Sequence, residues 1–159
     1  MSMSRGTLDG DPLAGGLVLP SGGQRRRLPL AGLPKPVARA RAHTVRALSD
    51  WFASVPGPGA GGETVEDVVL VVAELVGNAM LHGDGPLELV LDLTPDRLRI
   101  EISDRSTDMP APREPHHPAQ PGGHGLFIVQ RIADRWGAEP HAQGKTIWAE
   151  FEASRLLGA

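Results

Sequence analysis

Between Thr64 and Gly83 the chain reads TVEDVVLVVAELVGNAMLHG, a helix-length run that leaves itself almost no wet face. Val65, Val68, Val69, Val72, Val76 and Ala79 recur at helical spacing and form one stripe. Leu70, Val71, Leu75 and Leu81 make the remaining surface largely apolar too, and a helix apolar nearly all round is usually covered on both sides. The run therefore predicts a central helix, opened by the capping signal Thr64 and Asp67 and ending near Gly83. Glu74, Asn78 and His82 interrupt it four residues apart, on the side away from Val65 and Val76. A carboxylate turned into a covered cleft is costly unless a cation or donor meets it, so something polar is expected there. The plainer alternative is a local Arg on Glu74 and a loop backbone on Asn78.

The flanking segments supply partners for such a helix. Leu87, Leu89, Leu91 and Leu93 alternate with Glu88, Val90 and Asp92, and after the turn TPD the set Leu98, Ile100 and Ile102 alternates with Arg99 and Glu101. That period of two predicts a hairpin. Upstream, Arg25 to Leu30 reads as a short strand; Pro34 and Pro36 then precede an amphipathic helix carrying Val37, Ala40, Thr44, Val45, Leu48, Trp51 and Phe52, closed by VPGPGAGG. Downstream, STDMPAPREPHHPAQPGG holds too many prolines for a regular element and predicts a functional loop. Leu126, Val129, Ile132, Ala133 and Trp136 mark a third helix, and GAEPHAQGKTIWAEF a last hairpin with Ile147, Ala149 and Phe151 inward. This order predicts an α+β two-layer sandwich, with helices on one face of a mixed, mostly antiparallel sheet.

A chain of 159 residues accommodates one such domain, placed at 24–153 between a disordered N-terminal tail at 1–23 and a short C-terminal tail at 154–159. The absence of cysteine removes disulfides and thiolate metal sites. With neither a membrane-length apolar run nor a signal peptide, the reading is a cytoplasmic protein without a membrane partner. A net charge of −3 gives no general footprint for nucleic acid, and Arg25, Arg26 and Arg27 read as a solvated strand entrance.

Three features bear on chemistry. Asp104 ends the second hairpin strand on the face of Leu98, Ile100 and Ile102, where it can accept from an exocyclic amine while apolar neighbours sandwich a flat ring such as adenine. A strand-terminal Asp also forms turns. GGHGL, Gly122 to Leu126, places glycines before the third helix, where backbone N–H groups and the helix terminus suit a polyphosphate; helix capping alone is the alternative. Mg²⁺ takes oxygen ligands and keeps several waters, so the Asn78 carbonyl can serve it while Glu74 accepts a proton from an attacking hydroxyl.

Together ELVGNAMLH, ISDRS and GGHGLFIVQRIADRWG resemble the GHKL, or Bergerat-fold, ATPase and kinase superfamily, most closely its small anti-sigma factor serine/threonine kinases. The resemblance implies a histidine-kinase-like ATPase fold that takes ATP and Mg²⁺. It implies Glu74 as catalytic base, Asn78 as Mg²⁺ ligand, Asp104 as acceptor of the adenine amine, Gly123 and Gly125 as lid glycines and Thr146 near the adenine. His82 in the helix box and His124 and Leu126 in the lid turn join this nucleotide-binding set. Arg113 either swings toward phosphate as its loop closes or keeps the loop soluble. The family's Asp-x-Gly-x-Gly reads Asp104-Arg105-Ser106-Thr107-Asp108 here, like the Asp-x-Ser version of one branch of small regulators.

The function implied is a serine/threonine kinase acting on a STAS-type anti-sigma antagonist and binding a sigma factor, with a homodimer as its possible assembly. An ATP-ordered interaction module without phosphotransfer is the first alternative. A histidine-kinase catalytic domain is the second, weakened because one short upstream helix cannot supply a phosphoacceptor hairpin. His82, His116, His117, His124 and His141 lack zinc-ligand spacing, and His43 reads as a surface histidine. Arg39, Arg41 and Arg46 suit either a docking surface for an acidic partner or a solvated helix face.

Overall fold

The computed structural model describes residues 24–52, 62–109 and 124–156. In chain order these form β1 (Gln24–Pro29), α1 (Pro36–Trp51), α2 (Gly62–His82), β2 (Pro86–Leu93), β3 (Arg97–Asp104), α3 (His124–Ile132), β4 (Arg135–His141), β5 (Gly144–Glu152) and α4 (Ala153–Leu156). The strands make one five-stranded sheet of order β1-β2-β3-β5-β4, and each described pairing is antiparallel. The helices pack on one face of it, as an α+β sandwich requires.

The inner face follows the strand period. Ile100 of β3 stands opposite Leu91 of β2 and Ala149 of β5, and Ile102 opposite Leu89 and Ile147, all buried. Against them α2 buries Val68, Val71, Val72, Leu75, Val76 and Ala79, with α1 along one flank and α3 along another. The helix is not covered all round: Leu70, Met80 and Leu81 remain 39%, 48% and 72% exposed. A two-layer fold has no third layer to lay over its back.

Several boundaries differ from the sequence reading. α2 begins at Gly62, so Thr64 lies inside its first turn instead of capping it. Trp136, assigned to the third helix, belongs to β4 and pairs with Ala149. α3 stops at Ile132, and the Asp134 N–H turns to the Glu150 carbonyl at 2.9 Å, where strand pairing takes over. The C-terminal boundary moves outward: Leu156 on α4 is fully buried, and Arg155 donates to the Ile132 carbonyl at 3.1 Å and pairs with Asp134 at 3.0 Å. The N-terminal tail, most of VPGPGAGG and residues 110–123 of the proline-rich loop lie outside the described residues. Among the described residues no helix is long and apolar enough to cross a membrane.

The outer face carries charge. Glu150 accepts from Arg99 and from Arg135, each at 2.9 Å, and Arg99 also donates to Glu101 at 2.8 Å. The Arg99 guanidinium lies 4.3 Å from the centre of the Trp148 ring, which in turn covers Gly137. Burial opposes ionisation of Glu150, yet hydrogen bonds from Arg135 and Arg99 and the charge of Arg97 outweigh it and hold the carboxyl below its ordinary value.

Truncating Ile100 to Ala in the central strand is expected to lower the unfolding free energy by about 2–5 kcal/mol in a urea titration, since it leaves a void beneath α2. A loss within experimental error would mean that α2 does not press on β3. Because the folded state depresses the Glu150 pKa, its contribution is complete above the unfolded value and is lost as pH falls through the folded one. Glu150→Gln should therefore melt below the parent at neutral pH by an amount typical of exposed pairs, roughly 0–1 kcal/mol each, with the gap closing in acid. A gap that stays constant down to about pH 3 would contradict the assignment.

Candidate functional site

The polar line of α2 ends where the helix meets β3. Gly83 and Gly85 both donate their N–H to the Ala79 carbonyl at 3.0 Å, closing the helix through a turn in which Asp84 and Gly85 take positive φ. The Arg105 N–H then donates to the Gly83 carbonyl at 3.0 Å and stitches the end of β3 to the end of α2. The approach is so close that a Cβ at Gly83 would stand 2.5 Å from Asp104 Cγ. Only glycine leaves the carboxylate in place.

Asp104 is 0% exposed. Its Oδ1 accepts from Lys145 Nζ at 3.0 Å and from the Ser106 N–H at 2.9 Å, whereas Oδ2 has no hydrogen-bond partner among the described residues. Lys145 is 1% exposed, faces Asp104 directly across the β3–β5 ladder, and also reaches the Ser106 carbonyl at 3.5 Å. Gly144 precedes it with φ 150°, and a Cβ there would run into the Asp104 carbonyl. An acceptor buried without a donor is costly, so Oδ2 is suited to a donor beyond the described residues.

Asn78 lies five residues before Gly83, roughly 7.5 Å along the helix axis. It is buried, and its Nδ2 has no partner among the described residues. A half-turn of the amide exchanges nitrogen and oxygen, so the same position can present an oxygen ligand. Glu74, one turn earlier, is half-buried, and no described residue forms an ion pair or hydrogen bond with its carboxylate. The local partners that a purely structural role would need are therefore missing among the described residues.

The other sequence candidates fall into four groups. His82 is exposed at the last position of α2. His124 and Gly125 open α3, whose first turn carries no acid to repel an anion, and Leu126 points into the core. Arg113 and Gly123 lie outside the described residues. Thr146 is displaced from its expected role. Being next to Lys145 on β5, it projects from the opposite face of the sheet, where its Oγ1 lies 3.0 Å from Ser103 Oγ. The inward group beside Asp104 is Lys145, which the sequence reading missed. The signal was present: Lys145 continues the alternation that turns Ile147, Ala149 and Phe151 inward.

The junction thus gathers the Asp104 carboxylate, the Lys145 ammonium and the glycine turn that ends α2. The profile described as histidine kinase-like ATPase domain matches residues 38–151, a span that includes Glu74, Asn78, Asp104 and Lys145. The chain is also similar to the serine-protein kinase RsbW of Oceanobacillus iheyensis, 30% identical in an alignment 88 residues long that covers 45% of this chain and 56% of that protein. The match spans little more than half of that relative's length. With nearly the whole helix-and-sheet unit inside the matched span, the chain belongs to the histidine kinase-like ATPase domain family.

Proposed function

We propose that this domain binds ATP with Mg²⁺ and transfers the γ-phosphoryl group to a serine or threonine of a STAS-type anti-sigma antagonist, as a cytoplasmic anti-sigma factor kinase that also engages a sigma factor. The observation that carries the reading is the pair of buried polar atoms near the end of α2 that lack a partner among the described residues, Asp104 Oδ2 and Asn78 Nδ2, in a chain of ATPase kinship. Asp104 Oδ2 accepts from the adenine amine. Asn78 turns its amide oxygen to the cation, and Glu74, held by no described residue, takes the proton of the attacking hydroxyl. The glycines before α3 and its N-terminus receive the phosphates. Bound Mg²⁺ supplies charge neutralisation on the β- and γ-phosphate oxygens. Serine specificity draws support from the likeness to a serine-protein kinase, and the antagonist, sigma factor and homodimer from the resemblance to anti-sigma kinases.

A second reading, an ATP-ordered interaction module, is favoured by Ser106. Where the family motif has glycine, Ser106 is buried, its N–H is committed to Asp104, and its Oγ accepts from the Asp108 N–H at 3.1 Å.

Labelled-nucleotide binding separates the residue roles. Asn78→Ala should abolish the enhancement of ATP binding by Mg²⁺. Asp104→Asn should reduce the preference for ATP over GTP by about tenfold or more, the value of a hydrogen bond to a charged acceptor. Equal binding of both nucleotides by the parent and both variants would reject the site. In a transfer assay with STAS-type proteins, Glu74→Gln should slow formation of phosphoserine or phosphothreonine by roughly 10²- to 10⁴-fold. Undiminished transfer would remove Glu74 from the role of base, and ATP binding without transfer by the parent would favour the module.

A further inference from the structure

Resting on the reading of the cleft as an adenine-nucleotide site, we propose that Lys145 is a positioning residue that sets base selectivity. It holds the Asp104 carboxylate so that one charged oxygen is left for the exocyclic amine of the base. The ion pair is buried at both ends, with side chains 1% and 0% exposed. Such pairs seldom earn their place through stability, because desolvating two charges offsets their attraction and an apolar pair of similar volume is often as stable. Yet the next three inward positions of β5, Ile147, Ala149 and Phe151, are apolar. The lysine departs from that pattern only beside Asp104.

Its contacts account for the departure. Lys145 Nζ and the Ser106 N–H both donate to Oδ1, which fixes the plane of the carboxylate and commits that oxygen. Oδ2 remains, turned toward Gly83, where a Cβ would stand 2.6 Å from it. An ionised carboxylate accepts hydrogen bonds and cannot donate them, so it receives a 6-amino purine and opposes a 6-oxo purine. Lys145 is the buried counter-charge beside that carboxylate, and it makes Asp104 a charge-assisted acceptor. Ser106, standing where the family motif has glycine, completes the clamp by accepting from Lys145 through its carbonyl.

The test compares ATP with purine riboside triphosphate, which lacks the 6-amine, on the full chain and on Lys145→Met and Lys145→Gln. The parent should bind ATP about tenfold or more tightly than the analogue. In Lys145→Met the ratio should fall to within about threefold of unity with analogue affinity nearly unchanged, and Lys145→Gln, a neutral donor, should lie between. Because both ligands meet the same protein, partial unfolding cancels in the ratio, and the Gln variant carries the test if the Met variant does not fold. A parental ratio in the variants, or an equal loss of both ligands, overturns the proposal by assigning Lys145 a structural role alone. A parent that binds the two ligands equally overturns the adenine reading itself and the inference with it, and shows this before any variant is measured.

Discussion

The packing of α2 across the inner face of β3 is the contact on which the rest of the molecule depends. Val68, Val72, Leu75, Val76 and Ala79 can be buried only if the helix lies over Leu98, Ile100 and Ile102, and burial of that much apolar surface is the largest favourable term available to a domain of this size. Once the helix is seated, its C-terminal turn arrives at the end of β3. Gly83 and Asp104 are then neighbours by construction, and the Arg105 to Gly83 hydrogen bond secures the junction. The polar line of α2 thus ends beside the acid of β3 because the apolar stripe of the same helix is satisfied elsewhere.

The two faces of the sheet handle charge in opposite ways. On the outer face Arg97, Arg99, Arg135, Glu101 and Glu150 share partners in a partly solvated ladder, where each pair contributes little and the loss of one is tolerated. On the inner face one lysine and one aspartate are sealed from water, so removing either leaves the other uncompensated. A fold selected for stability alone has little use for the second arrangement. It sits where the end of α2 meets the end of β3, at the close approach of Gly83 to Asp104.

Much of this was legible beforehand because it depends on local periods. The alternation in Leu89 to Leu93 and Leu98 to Ile102 determines which side chains face inward, and the register of the hairpin follows from it. The spacing of Glu74 and Asn78 is likewise a property of one helix. The misassignment of Trp136 shows the limit of such reasoning. Its spacing from Leu126, Val129 and Ile132 is helical, but the ladder with β5 captures the chain at Arg135, and tertiary pairing overrides the pattern. Thr146 failed for a related reason: resemblance supplied a residue type, whereas the pleat supplies a face, and a shift of one residue reverses the face.

By itself the sequence determined the element types, the inward sets of the strands, the family and the line carrying Glu74 and Asn78, because each is encoded over a few neighbouring residues. Only the tertiary structure decided that Lys145 meets Asp104, that Gly83 must lack a side chain, that the back of α2 stays exposed and that Leu156 closes the core. Those outcomes depend on which residues far apart in the chain come to share one small volume, and no local period carries that information.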